Sequence, residues 1–400
     1  MNGVDKDIVL IERFAARAEE LLPVHPSLFS GLGGLSLLYA EMFNLTQNSR
    51  YAKRSIDLVE QSISLLNSEN SELTLVNGVA GVGWLIKYLI KSEVLSDIDS
   101  DILADFDELL IETLKDNDFV ENKTYDLCYG LIGKGIYFLE DDRAINKEAL
   151  HFIFQRLVQI SSKSINQEIT WYDSMGRVKR KTATDYVNYG LAHGIPSIII
   201  FLSRLWERNI EPKECSLLIK SLIDQIQATK LIDKESYYPN SSLTKEASKL
   251  SWCYGDLGIA IAFLKASEVL SDKNLDTQAV DILISSAKRQ LDMAFIRTSG
   301  NLVESGFCHG AYGLSYLFNQ AYLRTGQKVL KEASNYWLRS KFSKANSNSF
   351  DTLSNRFDFD RNSWEEDGTL IEGYCGMGLV LLALKSNKCN AIANITLTSV

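Results

Sequence analysis

The chain has 400 residues, 46% hydrophobic and 23% charged, which excludes a disordered or fibrous polypeptide and provides for a large buried core. Its formal charge of −9 argues against nucleic acid as a partner and suits a cationic peptide. Residues 1–19 mix acidic and basic side chains, unlike a secretory signal, and no apolar run reaches the ~18 residues of a membrane-spanning helix.

Two kinds of helix alternate along the chain. Amphipathic, charged segments with apolar residues at helical spacing are predicted over 5–22, 51–66, 98–114, 147–161, 213–228, 277–295 and 328–338. Between them a Gly-x-x-Gly step returns, each time followed by a run that is apolar nearly all round and therefore a buried helix. The steps are GLGG at 31–34, GVAG at 78–81, GLIG at 130–133, GDLG at 255–258, GAYG at 310–313 and GYCG at 373–376. A degenerate copy, GIPS at 194–197, carries Ser197 at the second glycine position. The first glycines lie 47 to 64 residues apart, enough for two helices and two loops per unit.

Seven inner helices alternating with seven outer ones predict an all-α fold, an α/α toroid formed by one domain over residues 1–400. An open helical solenoid carries the same local signature; the count of seven, with chemistry-bearing residues at equivalent positions, favours closure. The glycines are expected where inner helix ends crowd near the axis. Two inserts interrupt the pattern. Residues 167–183 read as a small β-hairpin with Ser174, Met175 and Gly176 near its turn, and 230–249 read as a polar loop. Residues 346–367 read as a long surface loop anchored by Trp364. Trp171, Tyr172, Tyr237 and Tyr238 stand near the rim, either lining a peptide channel or covering the hairpin.

The chemistry concentrates in SWCYG at 251–255 and GFCHG at 306–310. Zn²⁺ takes four tetrahedral ligands from Cys sulfur and His nitrogen, and three protein ligands leave a position open, the arrangement of a catalytic zinc. Cys253, Cys308 and His309 form such a set, although buried small hydrophobes are the commoner fate of single cysteines. Cys253 and the Cys308–His309 pair come from adjacent units, which would set them side by side. Two further residues fall near the same end of the ring: His193, directly before Gly194, and Asp126, four residues before Gly130. His193 is a candidate general acid, and Asp126 either its partner or a simple helix cap. Six cysteines are too few for a disulfide framework, so a reducing, cytoplasmic compartment is expected. Cys128 and Cys375 also lie on glycine steps and read as packing residues, Cys215 and Cys389 as structural ones.

The GLAHG, SWCYG and FCHG segments, in this order on a sevenfold glycine repeat, resemble the lanthipeptide cyclases of the LanC type. The resemblance covers essentially the whole chain. It implies one Zn²⁺ per chain held by Cys253, Cys308 and His309, with acid–base residues at Asp126 and His193. Tyr254 matches a further active-site position. Lys249 stands where the family often has Arg; an ammonium is a point charge rather than a planar fork. The implied reaction adds precursor-peptide Cys thiols to dehydroalanine and dehydrobutyrine, forming lanthionine and methyllanthionine thioether rings. The implied partners are a dehydrated, leader-bearing precursor and an assembly with a dehydratase and an ABC transporter. That assembly implies a cytoplasmic protein associated peripherally with the membrane.

Two other readings compete. An α/α-toroid glycosidase needs two carboxylates across a cleft, for which Asp126, Asp256 and Glu372 are the nominees. A non-catalytic, zinc-containing peptide-binding scaffold needs a closed metal shell, with Cys128 or Cys375 as fourth ligand.

Overall fold

The alternation of apolar and amphipathic segments becomes an alternation of inner and outer helices. The computed structural model describes residues 5–66, 71–95, 100–115, 124–163, 168–173, 185–289, 298–299, 302–342, 356–358, 360–386 and 391–399. Outer helices are Lys6–Leu21, Ser49–Ser64, Ser100–Lys115, Ala144–Gln159, Pro212–Gln227, Lys273–Ala287 and Lys328–Phe342. Inner helices are Leu32–Thr46, Val79–Lys91, Leu131–Leu139, Ile195–Glu207, Asp256–Leu270, Ala311–Thr325 and Tyr374–Lys385. An outer helix buries one stripe: Lys6–Leu21 turns Ile11, Phe14, Ala15 and Ala18 inward. An inner helix is buried on nearly every side, as Val79–Lys91 is from Val79 to Ile86. Each fully buried Val, Leu, Ile or Phe contributes about 1.5–3 kcal/mol, so the inner ring carries most of the stabilising apolar area.

The ring closes. The seventh inner helix packs on the first, where Leu38 lies against Gly378. Closure is also written in the backbone of the turns that precede the inner helices. Phe29 N donates to Val76 O at 3.1 Å and Val76 N to Cys128 O at 3.3 Å. Trp252 N donates to Cys308 O at 2.9 Å, Phe307 N and Cys308 N to Ile371 O at 2.8 and 3.0 Å, and Leu370 N to Phe29 O at 2.9 Å. Every acceptor in this belt stands two residues before the first glycine of its step. The fold is thus the predicted α/α toroid.

The glycines have a more local reason than axial crowding. Six of the seven steps fold back so that the residue after the first glycine donates its N–H to a carbonyl seven residues earlier, as Val79 N does to Glu72 O and Tyr374 N to Asp367 O, both at 2.9 Å; the fifth step turns instead through a left-handed Gly255. A Cβ at Gly78 would lie 1.7 Å from Glu72 O, and one at Gly313 1.8 Å from Phe307 O. The turn itself excludes a side chain.

The inserts differ in part from expectation. The loop over 230–249 is irregular, and Tyr237 N and Tyr238 N donate to the Asp256 carboxylate at 2.8 and 3.0 Å, pinning the loop to the start of the fifth inner helix. Near the expected hairpin of 167–183, the described pairing is Ser162–Lys163 with Ile169–Thr170, further upstream; Ser174, Met175 and Gly176 lie outside the described residues. Within 346–367 the surface loop contains a hairpin, Arg356–Asp358 with Ser363–Glu365, whose Phe357 and Trp364 rings sit edge to face at 5.5 Å. Trp364 does anchor this stretch, as part of a strand pair. Trp171 and Tyr238 are buried and cover structure rather than line a channel; Trp171 Nε1 donates to Leu157 O at 2.9 Å.

Gly313→Ala is expected to lower stability by about 2–4 kcal/mol, because the clash is with backbone and cannot relax by a side-chain rotation. Gly326→Asn, at a left-handed helix cap with open space around it, is expected to cost less than about 1 kcal/mol. Urea midpoints of the two variants measure this; equal midpoints would refute the steric reading of the step.

Candidate active site

Because the steps repeat around the closed circle, residues at one register position form a ring at one end of the toroid. Two before the first glycine stand Phe29, Val76, Cys128, Ala192, Cys253, Cys308 and Ile371. One before it stand Ser30, Asn77, Tyr129, His193, Tyr254, His309 and Glu372, all polar or aromatic and all half-buried. Neighbours in this second ring touch. Ser30 Oγ donates to Asn77 Oδ1 at 3.1 Å, the Tyr129 and His193 rings stack at 6.1 Å, and His309 Nδ1 lies 3.5 Å from Glu372 Oε1. The sequence reading identified four of these residues; the rest of the ring becomes evident once the steps are superposed as a closed circle.

Cys253, Cys308 and His309 converge at this mouth. Each offers one ligand atom, and the three atoms lie within 4.8 Å of one another. The Trp252 N to Cys308 O bond ties the two steps together directly beside both thiols. His309 is flanked by carboxylates on both ring edges: Glu304 Oε2 is 3.6 Å from Nε2, and Glu372 Oε1 is 3.5 Å from Nδ1. Glu304 is itself held in place, its Oε1 accepting from Phe357 N at 2.9 Å. Such outer carboxylates orient a metal-binding imidazole through whichever nitrogen the ion leaves. Two thiols, one imidazole and an orienting carboxylate fit a metal ion. Cys128 groups with other residues, and Cys375 lies buried in the seventh inner helix.

The hydrogen bond between the two thiols drives their ionisation apart. The hydrogen bond from Cys308 pulls Cys253 below its ordinary value, against its burial, with Ser251, His193 and Lys249 adding smaller contributions in the same direction. Cys308 is pushed up, first by that hydrogen bond and then by burial. Ser251 Oγ lies 3.6 Å from Cys253 Sγ and also receives Tyr254 N at 3.2 Å, so it fixes the turn that presents the thiol.

His193 reaches the site because the fourth step presses on the fifth: a Cβ on Gly190 would lie 2.2 Å from Cys253 O and 2.9 Å from the Tyr254 ring. His193 Nδ1 lies 3.3 Å from Asp126 Oδ2, and Tyr125 Oη donates to His193 O at 3.1 Å. Burial works to lower the imidazole pKa, but the paired Asp126 carboxylate outweighs it, and the net shift is upward. Asp126 is also a turn cap, its Oδ1 accepting from Tyr129 N at 2.7 Å. Lys249 contributes positive charge towards Cys253, and its backbone N donates to Asn240 Oδ1 at 3.4 Å. Asp256 is occupied in pinning the 230–249 loop, which removes one nominee for a pair of carboxylates across a cleft. Residues missed in the sequence include Glu304, Tyr129 and Ser251. Cys128, read as a packing residue, has its thiol within 4.8 Å of ligand atoms of Asp126 and His193.

Residues 23–397 match the family described as lanthionine synthetase C-like protein. The nisin biosynthesis protein NisC of Lactococcus lactis subsp. lactis is 24% identical over 312 residues, which cover 72% of each chain. A solved structure of a nisin cyclase superposes with a TM-score of 0.69 at 18% identity, covering 98% of this chain and 96% of that one. Family match, shared toroid and a Cys–Cys–His set at its mouth agree: the chain belongs to the lanthionine synthetase C-like family.

Proposed function

We propose that this enzyme is a zinc-dependent cyclase that adds precursor-peptide cysteine thiols to dehydroalanine and dehydrobutyrine, closing lanthionine and methyllanthionine rings. The observation that carries the reading is the convergence of Cys253, Cys308 and His309 within 4.8 Å at the ring mouth, with His193 beside them. Sulfur and imidazole donors in this number select Zn²⁺ over harder ions. When bound, Zn²⁺ supplies an open position where a substrate thiol, with an ordinary pKa of about 8.5, is held deprotonated at neutral pH.

The chain's own groups supply the rest. Cys253 and Cys308, both anionic as ligands, keep the centre electron-rich, which favours a nucleophilic sulfur over an acidic water. His309 is oriented by Glu304 and Glu372. As the substrate sulfur bonds to the β-carbon, the alkene electrons move onto the α-carbon and its carbonyl as an enolate. His193 then supplies the proton that completes the α-carbon. With Nδ1 turned to Asp126, Nε2 is the nitrogen that faces the substrate, so Asp126 fixes the tautomer and sustains the charge. Tyr254 and Lys249 flank Cys253 and hold the substrate in place. Family likeness alone extends the reading to a leader-bearing precursor, an assembly with a dehydratase and an ABC transporter, and membrane attachment through those partners. No described helix is long and apolar enough to cross a membrane.

Under limiting metal the protein is expected to hold one Zn²⁺ per chain, lost in Cys253→Ala and retained in His193→Ala, with neither variant cyclising. The loss of free thiols from a dehydrated, leader-bearing precursor measures this; undiminished cyclisation by Cys253→Ala would end the proposal. The raised His193 pKa sets the sign of a second test. The imidazolium is present below its folded pKa, so general-acid activity, and the stability that the Asp126 pair contributes, is lost as pH rises through that value. Asp126→Asn removes the largest of the contributions that oppose burial, leaving only the smaller ones from Cys253 and Asp173. The alkaline limb of kcat/KM should then move to lower pH, and an unmoved limb would remove Asp126 from this role.

A further inference from the structure

We propose that Asp126, Cys128 and His193 form a second, weaker Zn²⁺ site, and that filling it switches the enzyme off. The binding claim stands on geometry by itself; the inhibition claim rests on the cyclase reading above. The three side chains offer a carboxylate oxygen, a sulfur and an imidazole nitrogen, with all three ligand atoms within 4.8 Å of one another. All three are ordinary zinc donors. Cys128 stands at the same register position as Cys253 and Cys308, so the fold presents it in the same way, on the step next to that of His193.

The Asp126–His193 contact favours an ion over a simple hydrogen bond. Asp126 Oδ1 is engaged by Tyr129 N at 2.7 Å, whereas Oδ2 is buried and makes no hydrogen bond among the described residues. It faces His193 Nδ1, which is also buried without a hydrogen bond, at 3.3 Å. A charged N–H···O bond closes to about 2.7–2.9 Å. Two ligands at about 2.0 Å from a tetrahedral Zn²⁺ stand about 3.3 Å apart, which is the separation seen. The His193 side chain is 25% exposed, so an ion has a route in from the mouth. The site is the weaker of the two because it offers one sulfur instead of two, and because the buried ammonium of Lys134 acts on Asp126 and opposes a cation there.

An ion at this place takes the lone pairs of His193 and Asp126 that the reaction uses. Cyclisation should therefore rise with free Zn²⁺ as the first site fills and fall as the second does. The fall would be tenfold or more, on the scale of losing a general acid.

The test has a binding arm and an activity arm. Metal-free protein is titrated with Zn²⁺, and separately with Co²⁺, whose thiolate absorption reports sulfur ligation. Wild type should take two ions per chain, tight then weak. Cys128→Ser and Cys128→Ala should take only the tight one, and Cys253→Ala only the weak one. Retention of the tight ion in the Cys128 variants shows that they are folded. In zinc-buffered assays on the dehydrated precursor, wild type should rise and fall, while Cys128→Ser should rise to a plateau. One ion in wild type, or two in Cys128→Ser, overturns the site. Equal falls in wild type and Cys128→Ser overturn the switch. Two ions in wild type with one in Cys128→Ser, but no cyclisation by any form, would uphold the site and defeat the cyclase reading instead.

Discussion

The structure depends on one recurring interaction: at five of the seven steps the carbonyl two residues before the first glycine accepts an N–H from a neighbouring step. Phe29, Val76, Cys128, Cys308 and Ile371 all serve as acceptors. A hydrogen bond of this kind contributes only about 1 kcal/mol net. Its larger effect is geometric, because it sets the spacing between steps to within bond length. Ligands supplied by separate turns, tens of residues apart in the chain, are thereby held at separations suited to a metal. The Cys–Cys–His set adds little machinery of its own to a fold that already aligns its turns.

Within that frame the two register positions divide the work. The position two before glycine lies deeper and carries apolar residues or thiols, while the next position carries half-buried polar groups at the mouth. Electrostatics then differentiates the mouth by sector. Glu304 and Glu372 flank His309, and burial with like charge raises Glu372 well above the ordinary carboxyl range. Asp126 charges His193 in the next sector but one. The Cys–Cys–His set and the His193–Asp126 pair thus stand side by side without sharing a carboxylate.

Much of this could be read from the chain. Glycine spacing reported seven units, and the apolar and amphipathic runs reported which helix of each pair faces in, because burial writes its period directly into composition. The convergence of Cys253, Cys308 and His309 was legible because ligand-type residues stood beside the glycines of adjacent steps. Cys128 was not, since a thiol beside a glycine looks like packing until the ring sets it opposite His193. Glu304 was not, since its place behind His309 depends on a hairpin at Phe357, far along the chain. The reason for the glycines also needed coordinates: the atoms they avoid belong to their own turn. Short strand pairs such as Arg356–Asp358 with Ser363–Glu365 are too brief to show an alternating pattern.

The anchoring of Cys308 has a consequence for biogenesis. Both Phe307 N and Cys308 N hang on the carbonyl of Ile371, and Gly306 is pressed against the backbone of Glu372. A nascent polypeptide emerging amino end first has made both sulfurs long before it has made that mooring. Assembly of the Cys–Cys–His set is therefore deferred until the last blade of the circle has been translated and docked, and an aborted translation product carries the cysteines without their final arrangement.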